Sequence, residues 1–250
     1  RVFEKLTGTR GAFATRIAYV SVDGAPPSQR YQLLIADADG ENARIAMQST
    51  QPVMSPAWSP DGEWLAYVSF ENRAAAVFVQ RVRTGERRQV SARAGVNGAP
   101  AFSPDGRRLA VTLSGSTGNL DVFVLDLATQ ALTRITDDPA IDTEPAWSAD
   151  GQSLYFTSDR GGGPQIYAVP AQAGACARRI TFGVPYATRA RVSPDGKMLA
   201  LVTQEAGGFR VAALDLASGQ ITPLSRSQGA EYTRRALKFD FARVTKNAPA

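Results

Sequence analysis

One phrase recurs four times along the chain: SPAWSPDGEWLAYVS from Ser55, APAFSPDGRRLAVTL from Ala99, EPAWSADGQSLYFTS from Glu144 and RARVSPDGKMLALVT from Arg189. Its aspartates, Asp61, Asp105, Asp150 and Asp195, stand 44, 45 and 45 residues apart. A period this regular restricts the chain to architectures built by repeating one supersecondary unit. Within the unit, Ala57–Ser59 reads as a brief apolar strand, Ser59-Pro60-Asp61-Gly62 as a turn and Trp64–Phe70 as a second strand. Serine, proline, aspartate and glycine each suit the turn position they occupy. A third strand (AAVFVQR, NLDVFVLDL, PQIYAVP or FRVAALDL) and a fourth (RRQVS, LTRIT, ARRIT or ITPLS) follow, joined by a polar turn.

Four antiparallel strands make one blade, and a sheet that small buries its faces only by stacking against neighbouring blades around an axis. The expected fold is therefore all-β, a β-propeller of four-stranded antiparallel blades, with five recognisable repeats. The first repeat is incomplete. Residues 17–21, 31–37 and 43–47 match strands two, three and four, but no innermost strand precedes them. In closed propellers that gap is commonly filled from the other terminus.

The period breaks after Ser225. Another copy of the phrase is due near residues 234–240, where the chain reads SRSQGAEYTRRALKFDFARVTKNAPA. Leu237, Phe239 and Phe241 alternate with Lys238, Asp240 and Ala242, which reads as a closing strand; a helical face of Tyr232, Ala236 and Phe239 is the alternative. The chain thus divides into propeller repeats over 1–225 and a divergent tail over 226–250.

Composition narrows the chemistry. Among 250 residues there is no histidine, which removes the usual general base, the imidazole metal ligand and every Ser-His-Asp arrangement. Cys176 is the lone cysteine, so no intrachain disulfide or thiolate metal cluster is available. No catalytic residue, metal site or cofactor is expected. The net charge of +5 is mostly in the tail, where six basic residues face two acids, against 22 basic and 21 acidic residues over 1–225. That near-balance gives no reason to expect nucleic-acid binding. No apolar run approaches the roughly 20 residues that span a bilayer, so membrane insertion is not expected. The first twenty residues lack the pattern of a signal peptide, so an export signal would lie upstream.

Several motifs have bland readings that outweigh sharper ones. The four turn aspartates occupy equivalent turns in separate blades, which favours turn chemistry over a joint metal site. Asp137, Asp138, Asp142 and Glu144 lack the interleaved glycine of a calcium loop and read as a solvated loop. Ser158-Asp159-Arg160 with Gly161–Gly163 has no phosphate-loop spacing and reads as a blade hairpin. Trp58, Phe102 and Trp147 recur at one repeat position, as residues packed between blades would.

The segments leading into each inner strand, residues 51–55, 96–99, 140–144 and 186–189, vary while the turn phrase barely changes. They should gather at one end of the central channel, and variation on a constant scaffold is where binding resides. The candidate partner-binding residues are Val96, Asn97, Gly98, Asp142, Thr143, Glu144, Tyr186, Thr188 and Arg189. Asn97, Thr143, Glu144 and Arg189 are the expected polar contacts, and Val96 and Tyr186 the apolar ones.

FEKLTGTRGAFATRIAYV at the start, MSPAWSPDGEWLAYVSF, NGAPAFSPDGRRLAV, the TEPAW phrase from Thr143 and FTSDRGGGPQIYAV together resemble the TolB family of periplasmic propeller proteins. The likeness covers about residues 1–225. The resemblance implies a monomeric, non-enzymatic scaffold of the Tol-Pal envelope system. It implies binding of the Pal lipoprotein at the loop-lined channel mouth, with other Tol proteins and colicin peptides as further partners. It also implies roles in outer-membrane integrity, cell division and protein import. The family has an N-terminal α/β domain, absent here, and six blades against the five recognised. Two rivals stand beside this reading. One is the propeller lid of a prolyl-oligopeptidase-like hydrolase, which would need a GxSxG elbow and a histidine. The other is a truncated, non-functional fragment with open strand edges.

Overall fold

In a computed structural model, residues 15–114, 118–205, 208–225 and 242–245 are described. Their strands form five four-stranded antiparallel sheets that succeed one another around a common axis as a five-bladed β-propeller. The first blade contains β1 (Thr15–Asp23), β2 (Arg30–Asp37) and β3 (Arg44–Ser49). The second is β4 (Val53–Trp58), β5 (Trp64–Ser69), β6 (Ala76–Arg81) and β7 (Arg87–Ser91). The third is β8 (Asn97–Phe102), β9 (Arg108–Ser114), β10 (Leu120–Asp126) and β11 (Leu132–Arg134). The fourth is β12 (Asp142–Trp147), β13 (Ser153–Ser158), β14 (Gln165–Pro170) and β15 (Arg178–Arg179), and the fifth β16 (Ala187–Val192), β17 (Met198–Glu205), β18 (Gly208–Asp215) and β19 (Ile221–Pro223).

The last strand, β20 (Ala242–Thr245), runs antiparallel to β1, with Thr15 opposite Thr245 and Ala18 opposite Ala242. It takes the inner position of the first blade that the sequence leaves vacant. The alternating Leu237, Phe239 and Phe241, and the rival helical face, lie outside the described residues. The inner strands themselves differ from expectation. They begin four residues upstream, at Val53 in place of Ala57, so most of the supposed connector residues belong to the strands that line the channel.

All four SPDG or SADG turns share one hydrogen-bond set. The serine hydroxyl donates to the aspartate at 2.5–2.6 Å, and the same carboxylate accepts the N–H two residues on. The hydroxyl donated by Ser103, Ser148 or Ser193 is the main reason Asp105, Asp150 and Asp195 are held below the usual carboxylate range. Each aspartate is spent on its own turn.

Four apolar clusters fill the four interfaces between successive blades. Each draws mainly on the second and third strands, whose branched and aromatic residues suit a sheet covered on both sides, with inner-strand residues such as Trp58, Trp147 and Ala187 added. Tyr67 donates to Gln80, whose amide donates in turn to the Ala46 carbonyl of the first blade. The outer face of the fifth blade is different. Val211 pairs opposite Val202 as Val122 pairs opposite Thr112, yet Val211 is 43% exposed and Val122 is 0%. Leu224 and Ile135 make the same backbone bond, to the carbonyls of Val211 and Val122, and are 63% and 3% exposed. A paired test follows: Val122→Ala should lower stability by about 2 kcal/mol, while Val211→Ala should change it by less than about 0.5 kcal/mol, as read from urea midpoints.

Candidate functional site

Four inner strands carry a bulge at the same place. Their register with the second strand shifts between Met54 and Ala57, Gly98 and Ala101, Thr143 and Ala146, and Thr188 and Arg191. At the third residue of each strand the backbone turns left-handed: φ is 53° at Ser55, 45° at Ala99, 56° at Glu144 and 58° at Arg189. None is glycine, so each conformation costs about 1 kcal/mol. In three blades a buried proline follows, Pro56, Pro100 or Pro145, with no N–H to continue the ladder. These bulges converge on the axis and leave a constriction of about 30 Å³ between them, also bordered by Arg191.

The constriction is polar on one side. Glu144 accepts from the Arg189 Nε at 3.0 Å, from the Arg189 backbone N–H at 3.2 Å and from the Thr157 hydroxyl at 3.0 Å. That set joins the fourth blade to the fifth. Thr112 and Thr143 share a hydroxyl contact at 3.3 Å that joins the third to the fourth. Half-exposed ion pairs of this kind contribute little stability, and both Glu144 and Arg189 keep surface open to solvent.

Beside the constriction a pocket of about 390 Å³ opens between the second and third blades, lined by Met54, Val68, Phe70, Arg73, Val96 and Glu144 among others. Met54, Val96, Ile141 and Phe182 stand exposed, the first three in or immediately before an inner strand and Phe182 in the connector that leads to β16. Contiguous exposed apolar side chains are what interaction faces present.

The nine sequence-predicted residues divide. Val96 is exposed; Gly98, Thr143, Glu144, Tyr186 and Arg189 are half-buried at the mouth, with Tyr186 edge-on to Phe209 at 5.2 Å. Asn97, Asp142 and Thr188 are buried in the free chain, unlike the other six. For Asn97 and Asp142 the cause is strand alternation: Val53, Asn97, Asp142 and Ala187 hold the same first position of their inner strands, and all are buried. Asn97 turns back on its own connector, donating to the Arg93 carbonyl at 2.6 Å and accepting the Arg93 N–H at 3.0 Å.

Asp142 receives the Arg160 guanidinium at 2.6 Å. Burial pushes the Asp142 carboxyl up, and Arg160 opposes that shift. The acidic stretch is thus paired throughout: Asp137 with Arg134 at 2.8 Å, Asp138 with Arg160 at 3.5 Å and Glu144 with Arg189. Among the described residues no cluster of acidic, Cys or His side chains has the arrangement of a metal site. Met54 and Ile141 fall within the variable segments 51–55 and 140–144 without being singled out there, and Phe70 and Phe182 lie outside those segments. Aligning the repeats would have flagged Ile141, which holds the position of Val96 one period later.

Comparison with known proteins adds an independent line. A family profile described as TolB beta propeller domain matches residues 3–233. A Tol-Pal system protein TolB from Methylococcus capsulatus is 55% identical over 98 residues, 39% of this chain and 23% of that protein. The crystal structure of TolB from Acinetobacter baumannii superposes with a TM-score of 0.84 at 41% identity, covering 91% of this chain and 57% of that one. The chain therefore spans well under two thirds of either relative. A puromycin-hydrolyzing peptidase from Mycobacterium tuberculosis has a TM-score of 0.58 at 19% identity, covering 85% of this chain and 39% of that one, a likeness of fold alone.

Proposed function

The chain belongs to the TolB beta propeller domain family, and from that premise we propose that it is a non-enzymatic protein-binding scaffold of the Tol-Pal system in the periplasm. The chain acts as a monomer, its partner is the peptidoglycan-associated lipoprotein Pal bound at the channel mouth, and the complex supports outer-membrane integrity. Other Tol proteins and colicin peptides are further ligands of the same face. The observation that carries this reading is the exposure of Met54, Val96, Ile141 and Phe182 in or ahead of the inner strands, with Met54 and Val96 lining a pocket of about 390 Å³. Their apolar surface, rimmed by Arg73, Thr143, Glu144 and Arg189, has the apolar-centre and polar-rim composition of protein interfaces. A chain without histidine also lacks the usual means of acid-base or nucleophilic catalysis.

Titration calorimetry with the soluble domain of Pal tests it. The chain should bind, and Val96→Asp should weaken binding by about 30-fold, the effect of losing one hot-spot contact. Binding that is absent, or untouched by Val96→Asp, contradicts the reading.

A further inference from the structure

Ile141 ends the connector between the third and fourth blades with its side chain 48% exposed, and that connector is held from both sides. From the third blade, the Asn119 amide donates to the carbonyls of Asp138 at 2.6 Å and Ala140 at 2.8 Å. From the fourth, Asp159 accepts the Ile141 N–H at 2.8 Å. Arg160 lies against the rings of Phe156 and Tyr167 at 5.4 and 5.1 Å. From there it reaches Asp138 and, with the shorter contact, Asp142 at the two ends of the segment. Asp138 in turn accepts the Ala140 N–H at 2.9 Å. The carbonyls of Asp138 and Ala140 and the N–H groups of Ala140 and Ile141 are thus bonded to side chains of the protein, while the large apolar side chain of Ile141 is exposed. A loop built only to connect two blades has no need of this set of clamps.

We infer that Asn119, Asp159 and Arg160 are positioning residues, which hold residues 138–141 so that Ile141 is a preformed apolar contact for the partner protein. The inference rests on the binding reading above and adds which residues make the mouth rigid. Ordering a loop on binding costs affinity, and a loop already ordered avoids that cost. Asp159 is exposed and Asn119 half-buried, and neither belongs to an apolar cluster, so replacing either leaves the blade cores intact, whereas Arg160 also neutralises a buried carboxylate.

The test measures affinity of the full chain for the soluble domain of Pal in five variants. Asp159→Ala and Asn119→Ala should each weaken binding about fivefold, the cost of ordering one loop element. Asp159→Asn, which keeps an acceptor oxygen for the Ile141 N–H, should recover most of that loss. Because the clamps act through Ile141, Asp159→Ala combined with Ile141→Ser should bind no more weakly than Ile141→Ser alone. In the free protein, Asp159→Ala should speed hydrogen exchange at the Ile141 amide. Independent, multiplying effects of Asp159→Ala and Ile141→Ser, or full affinity in Asp159→Ala, overturn the inference while leaving the binding reading standing. Failure of the unaltered chain to bind overturns both.

Discussion

Trp147→Ala should lower the unfolding free energy by about 3–5 kcal/mol, the range for emptying a buried aromatic site. Trp147 is 6% exposed and closes β12 against the third blade. Its indole N–H donates to the Ala101 carbonyl across the blade interface at 3.0 Å. The Arg108 guanidinium lies 4.5 Å over the ring and donates onward to the Gly151 carbonyl in the SADG turn at 3.2 Å. Two blade interfaces earlier, between the first and second blades, Arg16 stacks on Trp58 at 4.7 Å and bonds to the Gly62 carbonyl at 2.7 Å. The repetition identifies a rivet between blades, made from an aromatic residue and an arginine. A propeller is stabilised through such neighbour interfaces, and a domain has only about 5–15 kcal/mol in total. Trp147→Phe should cost much less, because the third blade carries Phe102 at that position. Urea unfolding measures both; an alanine variant within about 1 kcal/mol of the unaltered chain would mean the rivet is not what joins the blades.

The second large effect is electrostatic. Arg160→Ala should cost about 3–5 kcal/mol, because it strands the Asp142 carboxylate, which is 0% exposed, without its counter-ion. Desolvation already pushes that carboxyl up, so its charge is tolerated on account of the guanidinium at 2.6 Å. The double change Asp142→Asn with Arg160→Met removes both charges and keeps the volume, and should be within about 1 kcal/mol of the unaltered chain. Denaturant unfolding of the two variants separates a charge effect from a packing effect: equal losses in both would show that the pair matters for its shape alone.

The periodic part of the molecule could be read directly. SPDG turns at a 44- or 45-residue spacing force a hairpin between an inner and a second strand, and nothing in tertiary structure overrides that local chemistry. What escaped was the first half of each inner strand. Pro56, Pro100 and Pro145 interrupt the strand signal, and a left-handed Ser55, Ala99, Glu144 or Arg189 leaves no trace in residue type, since glycine is absent there. Sequence therefore placed connectors where the structure has bulged strands. The same difference puts Asn97 and Asp142 at buried strand positions. Arg160 was read within a hairpin loop and Asp142 within an acidic loop; only the fold, by pairing β12 with β13, brings the two together. Conversely, the packing role expected of Trp58 and Trp147 needed only the recurrence of an aromatic residue at one position of the unit.

Hydrogen exchange of the propeller with and without the soluble domain of Pal tests the central claim most directly, because it reports which end of the blades is covered. Protection should concentrate at residues 96–99, 140–144 and 186–189, and leave the turns at Asp61, Asp105, Asp150 and Asp195 unchanged. Protection centred on those turns, at the opposite end of the inner strands, would contradict the account.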